Sequence, residues 1–275
     1  MRKNLGQIIC QSVQIAFFGS RPQNNGQNGS KSFRGSDFVG VFLQKVIRLT
    51  SYTKSLKKKM ADLTNVANLR RAYALKQLSA EEALAHPMDQ FRVWFEEALQ
   101  SESLEANAMA LATADAEGKP AARIVLLKGF DESGFVFFTN YESRKGQELE
   151  QNARVSLLFF WAELERQVRI EGVAERVSRD YSQEYFQSRP KDSQIGAWAS
   201  PQSRVIESRE ILEEKVRDLT ESFKHEEVLP LPDHWGGYLV RPYAIEFWQG
   251  RLSRLHDRIR YRHAEGAWLI ERLAP

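Results

Sequence analysis

Three short segments combine cations with hydroxyls or aromatic rings at spacings that suit anion recognition. The first is Thr139-Asn-Tyr-Glu-Ser143-Arg144-Lys145. Ser143 is a good helix N-cap, yet Arg144 and Lys145 then occupy the first turn, where the helix dipole disfavours positive charge. A phosphate would reverse that penalty, because backbone N–H groups and two cationic side chains at a helix start form a cradle. An exposed helix start with tolerated charges is the alternative. The second segment is Tyr185-Phe-Gln-Ser-Arg189-Pro-Lys191-Asp-Ser193, followed by Gln194 to Trp198 and by Gln202-Ser203. Its cations and hydroxyls suit another phosphate, or the ordinary salt bridges of a loop. The third runs from Trp248 to Arg258 and sets Arg254, His256 and Arg258 at alternate positions. On a strand these three would point the same way, which is costly unless an anion or electron-rich ring lies opposite. Arg123-Ile-Val-Leu-Leu-Lys128 adds a buried-type strand with a cation at each end, on opposite faces by alternation. These are solvated strand ends or a further anion-binding pair.

Composition narrows the chemistry. The only cysteine is Cys10, so residues 60–275 hold no disulfide, thiolate cluster or cysteine nucleophile. The histidines at 86, 225, 234, 256 and 263 have no familiar metal-ligand spacing, and no metal is expected. No Gly-x-Gly-x-x-Gly follows a strand pattern, which leaves a dinucleotide-binding fold without support. No apolar stretch approaches the ~20 residues that span a bilayer, so no membrane partner is expected. Residues 1–59 hold eleven Lys or Arg against Asp37 alone, a net of +10, so the whole-chain +3 leaves −7 for residues 60–275. An acidic remainder argues against nucleic acid as a partner.

Arg21–Ser36 is polar and glycine-rich, with too few large apolar side chains to offset the entropy of ordering, and is expected to be disordered. Residues 1–59 read as sequence ahead of a true start at Met60, as an organellar targeting segment, or as a functional basic tail. Residues 60–275 are the expected folded domain, in the cytoplasm unless the leader directs it to an organelle.

The elements that must position the charged segments are mostly strands. Met88–Leu99 has helical apolar spacing after Pro87. Strand patterns follow at Ala108–Ala114, Ala121–Lys128, Phe135–Thr139, Val155–Trp161 and Gln167–Val177, the first three expected to form an antiparallel meander. Helices are expected near Ser143–Gln151 and Arg204–His225, then strands at Gly237–Gln249, Ile259–His263 and Ala267–Arg272. Short turns join most strands, without the regular helical crossovers of a parallel sheet. A mainly β fold with peripheral helices follows, built as a closed or half-closed antiparallel barrel.

With those segments in order, residues 68–275 resemble the pyridoxamine/pyridoxine phosphate oxidase family. The resemblance rests on RIVLLK at 123–128, FFTN and SRK within 137–145, LERQV at 164–168, SRPKDSQIGAW at 188–198 and IEFWQGRLSRLHDR at 245–258. It implies a homodimeric FMN-binding split barrel with each site built from both subunits. It also implies oxidation of pyridoxamine or pyridoxine phosphate to pyridoxal phosphate in vitamin B6 metabolism, with dioxygen as acceptor and hydrogen peroxide as product. By the same motifs, Arg123, Ile124, Val125, Leu126, Leu127, Lys128, Phe138, Thr139, Arg144, Lys145 and Gln167 should hold FMN, completed by Gln202, Ser203, Trp248 and Arg258. Lys128, Tyr185, Arg189 and Ser193 should bind the substrate phosphate. Arg254 and His256, with Leu255 between them, should contact the pyridine ring and carry catalysis, and Arg70 and Tyr73 should close over it. The chain departs from the family in Ala106 after Glu105, in Ala72, and in the run Gly250 to Ser253. A flavoprotein of the same fold with another substrate, or a non-catalytic pyridoxal-phosphate binder, is the rival reading.

Overall fold

The computed structural model describes residues 72–101 and 103–275. The expected leader and Arg70 lie outside the described residues. Helix α1 (Pro87–Gln100) is followed by strands β1 (Ala108–Ala114), β2 (Pro120–Leu126), β3 (Gly129–Asp131) and β4 (Gly134–Asn140), then by α2 (Arg144–Gln151). Next come β5 (Arg154–Trp161), β6 (Arg166–Arg176), and helices α3 (Arg179–Ser188), α4 (Lys191–Ala199) and α5 (Arg209–Ser222). The chain closes with β7 (Trp235–Gln249), β8 (Asp257–Ala264) and β9 (Ala267–Arg272).

The nine strands of the described residues join one sheet in the order β2-β1-β5-β6-β7-β4-β3, with β8 branching from β7 and β9 from β8. Every pairing is antiparallel. The two ends of the main path, β2 and β3, are joined in sequence by Leu127 and Lys128 alone. So short a link forces the sheet to curl until its ends meet. Within that link the Leu127 N–H donates to Asn107 O, just before β1, and the Lys128 N–H to Val136 O on β4, both at 2.8 Å. A half-closed barrel results, as its strand pattern implies.

Alternation sends one face of each strand inward: Met109 and Leu111, Leu157 and Phe159, Val168 and Ile170, Ile245 and Phe247, Ile259 and Tyr261 are all buried. Helix α1 plugs the interior, with Phe91 edge-on to Phe130 and Phe135 and Trp94 edge-on to Phe247. Each such ring contributes on the order of 1.5–3 kcal/mol by leaving water. A smaller core of Phe186, Ile195, Leu229, Leu231 and Trp235 holds α3 and α4 beside the start of β7.

Three expectations need correction. The strand at 134–140 pairs with β3 and β7 and not with β2, so the first three strands are no meander; non-local pairing decides strand neighbours, and local turns do not reveal it. The segment read as a loop around Arg189 is two helices that meet at Pro190, ordered by burial of Phe186, Ile195 and Ala199. Strand β2 ends at Leu126, so strand alternation does not extend to Lys128.

Candidate active site

The end of β2, the β4 strand, the start of α2 and the α3–α4 corner surround a cavity of about 490 Å³. Ile124, Val125, Leu126, Lys128, Phe138, Thr139, Lys145, Tyr185, Arg189, Pro190, Ser193, Gln202 and Trp235 line it. Among the described residues that line it, three are cations and none is a carboxylate, which suits a ligand carrying phosphate. Lys145 Nζ donates to Thr139 Oγ1 at 2.9 Å and to Gln202 Oε1 at 2.6 Å, so the lysine is aimed by neutral groups. Burial, with repulsion from Arg123, pushes the Lys145 ammonium down to about 8, with Glu148 partly opposing. The Arg189 guanidinium lies over the Trp235 ring at 4.9 Å and donates Nη2 to Ser193 O at 2.8 Å. Its Nη1 is buried without a partner among the described residues, an orphaned donor of the kind that an anion would satisfy. Phe138, Tyr185 and Trp235 form a near-parallel aromatic stack beside it, with Phe138 and Tyr185 4.0 Å apart.

Arg123 and Arg144 do not line this cavity. Both turn to Glu148 on α2, Arg123 Nη2 at 2.9 Å and Arg144 Nε at 2.7 Å, and Thr113 also donates to that carboxylate. Burial opposes ionisation of Glu148, but hydrogen bonds from Thr113, Arg144 and Arg123 outweigh it and hold the carboxyl below its usual range. The first-turn cation penalty at Arg144 is thus relieved within the helix, by an i,i+4 pair. Leu127 is buried, and Ser203 is exposed with φ 71 beside Gln202.

The remaining residues gather elsewhere. Register places Gln167, Trp248 and Arg258 side by side across β6, β7 and β8, on the sheet face opposite the core. Arg258 donates Nε to Glu246 Oε1 at 2.8 Å and Nη2 to Oε2 at 3.0 Å, a bidentate hold on a buried carboxylate shared with Arg169. The His256 ring lies 4.6 Å from Trp248, and Tyr73 meets both edge-on at 5.8 and 6.0 Å. Arg254, His256 and Arg258 do not alternate along one strand, because β8 begins at Asp257 and Arg254 ends a tight turn with φ 61. Leu255 is exposed beside them. Burial and the charge of Arg254 lower the His256 pKa. Arg251 N–H donates to its Nδ1 at 3.1 Å, which an imidazolium has no lone pair to accept, so the neutral ring presents Nε2–H.

The two groups stand at opposite ends of β7: Trp235 borders the cavity and Trp248 the second group. Thirteen residues at ~3.3 Å each put roughly 40 Å of strand contour between them. The sequence reading passed over Glu148, Trp235 and Glu246. The Arg144/Glu148 spacing was available as a signal; the Arg258–Glu246 clamp depends on strand register and was not.

The profile of pyridoxamine 5'-phosphate oxidase matches residues 95–222, and that of the pyridoxine 5'-phosphate oxidase C-terminal dimerisation region matches residues 235–275. The chain is 54% identical over 215 residues to the pyridoxine/pyridoxamine 5'-phosphate oxidase of Salinibacter ruber, covering 78% of this chain and all of that one. Among solved structures, PhzG from Burkholderia lata 383, in complex with tetrahydrophenazine-1-carboxylic acid, aligns with TM-score 0.69 and 28% identity over 73% of this chain and 99% of that one. A pyridoxamine 5'-phosphate oxidase-related, FMN-binding protein from Nostoc punctiforme shares the fold, with TM-score 0.56 and 17% identity over 70% of this chain and all of that one.

Proposed function

Because this chain belongs to the pyridoxamine 5'-phosphate oxidase family, we propose that it uses FMN to oxidise pyridoxamine and pyridoxine 5'-phosphates to pyridoxal 5'-phosphate. The observation that carries this reading is the carboxylate-free, cation-lined cavity with an orphaned Arg189 donor, in a chain more than half identical to enzymes of that name. The rival of another substrate on the same fold is not favoured by relatives at that identity.

Lys145, Thr139, Gln202, Ser203 and the β2 residues Ile124 to Leu126 would hold the cofactor, with Arg123 and Arg144 supplying positive charge from behind and Leu127 fixing the strand. Phe138 would wall the pocket. Lys128, Tyr185, Arg189 and Ser193 would anchor the substrate phosphate, so that binding energy far from the reacting carbon orients it. FMN, when bound, supplies the two-electron redox chemistry and passes electrons to dioxygen. Gln167, Trp248 and Arg258 would complete its site from the other group. Arg254 would hold the pyridine ring by charge, while neutral His256 offers its Nε2 proton to it. Arg70, ahead of Tyr73, is assigned to the same closure by motif alone.

We assign the two groups to one site formed between two copies of the chain. Support comes from the match to a C-terminal dimerisation region, which contains Trp248, Arg254, His256 and Arg258. Ile124 and Phe160, 66% and 55% exposed, are apolar surfaces that a second copy would cover. Residues 60–275 would make up the oxidase domain, since full-length relatives match only 215 residues of this chain. No helix among the described residues is long and apolar enough to cross a membrane. A cytoplasmic location is the reading we favour.

Anaerobic addition of pyridoxine phosphate to the FMN-loaded protein should bleach the visible flavin spectrum, and air should restore it. A spectrum that stays unchanged would remove the substrate assignment; failure to bind FMN would remove the cofactor. A second test follows from Lys145. Its ammonium is protonated below about 8, and only that form attracts a phosphate. Fluorescence titrations from about pH 6.5 to 9.5 should find FMN affinity flat at the acid end and weakening above 8 towards ~10-fold per unit. Lys145→Met should bind FMN more weakly and lose that dependence; an unchanged profile would mean that Lys145 does not meet the phosphate.

A further inference from the structure

Glu165 has no part in the roles given above, yet two segments distant in sequence, residues 74–75 and 249–250, converge on it. It is 3% exposed and sits at φ 54, ψ 39, at the end of the tight turn Ala162–Leu164 between β5 and β6. Left-handed backbone favours glycine or asparagine, so a turn alone gives no reason for a long acidic side chain here. Its main-chain oxygen accepts the Gly250 N–H at 2.8 Å and Gln249 Nε2 at 3.2 Å, which fixes it to the end of β7. Arg166, next in the chain and 4% exposed, bonds Gln249 at 2.9 Å and Glu97 of α1 at 2.7 Å. The backbone carrying Glu165 is therefore held on both sides.

The side chain reaches out of this frame. Oε2 accepts the N–H of Ala74 at 2.8 Å and of Leu75 at 3.2 Å. Two successive N–H groups can share one carboxylate oxygen in only a narrow range of chain orientations, and charge strengthens both bonds. Tyr73 immediately precedes them. Its ring crosses Gly250, where a Cβ would come within 2.7 Å of Cγ, and meets Trp248 and His256 edge-on.

We propose that Glu165 is a positioning residue for the oxidation, fastening residues 74 and 75 so that the Tyr73 ring is held against Trp248 and His256. It thereby shapes the wall that faces the substrate ring, which rests on the assignment of that group to ring binding.

The test uses the FMN-loaded enzyme and the variants Glu165→Ala, Glu165→Gln, Tyr73→Ala and the double Glu165→Ala/Tyr73→Ala. In Glu165→Ala the amide protons of residues 74 and 75 should exchange at least about tenfold faster while the β6–β7 amides keep their protection. KM for pyridoxine phosphate should rise about five- to tenfold, more than kcat falls, with FMN affinity unchanged. Glu165→Gln keeps an acceptor oxygen and should stay within about threefold of the unmodified enzyme. In the Tyr73→Ala background, removal of Glu165 should add no further KM change. Unchanged exchange at 74 and 75, or equal KM increments in both backgrounds, would overturn the proposal. So would loss of β6–β7 protection and of FMN in Glu165→Gln, which marks a purely structural residue. Exchange is read without turnover, so its failure is distinct from failure of the oxidase reading, which appears as an unreduced flavin in the unmodified protein.

Discussion

Arg254→Ala should lower turnover about 100- to 1,000-fold, the usual cost of removing one fixed charge aimed at a reacting centre, and should leave FMN bound. Arg254 is exposed at the end of the Leu252–Arg254 turn, and no ion pair to it is found among the described residues. Arg258, two positions beyond His256, is by contrast committed to Glu246. The free charge of Arg254 is already felt by His256, whose pKa it lowers. A cation that is held by a strained backbone and lacks a carboxylate is available to substrate. Arg254 is assigned to the substrate ring and not to the proposed cofactor-holding set, so FMN affinity measured by fluorescence should change by less than about twofold. Steady-state kinetics alongside that titration decide the matter. A normal rate would remove Arg254 from the site, and lost FMN would move it to the cofactor.

Two inactive variants should restore one another when paired in a single dimer. Arg189→Ala would remove the proposed phosphate anchor and Arg254→Ala the proposed ring contact. If each site takes Arg189 from one chain and Arg254 from the other, a mixed dimer carries one doubly damaged site and one intact site. Doubly tagged, purified mixed dimers should then recover about half the activity of the unmodified enzyme, by the two-fold symmetry of such an interface. Were both residues drawn from one chain, each mixed dimer would hold two singly damaged sites and stay inactive. The geometry favours the first outcome, since the two residues flank opposite ends of a 15-residue strand.

Much of this protein was legible in order along the chain. Apolar alternation marked nearly every long strand within a residue or two, and helical spacing marked α1, because side-chain periodicity is a local property of backbone geometry. The motif at 123–128 and the run from Phe138 to Lys145 carried much of the cation-lined cavity, and the run ending at Arg258 helped carry the family. Arg189–Trp198 was misread as a loop because its charges and Pro190 obscured the sparse buried positions Phe186, Ile195 and Ala199 that fold it into two helices.

Sequence by itself determined the residue types: which segments are strands, which side chains are cations, and which family they spell. Only the tertiary structure decided how those cations are used. It turned Arg123 and Arg144 onto Glu148, clamped Arg258 on Glu246, and left Lys145, Arg189 and Arg254 without carboxylate partners among the described residues. The physical reason is that an ion pair depends on distance across strands and helices. Register and sheet closure set that distance, and both arise from burial summed over the whole fold.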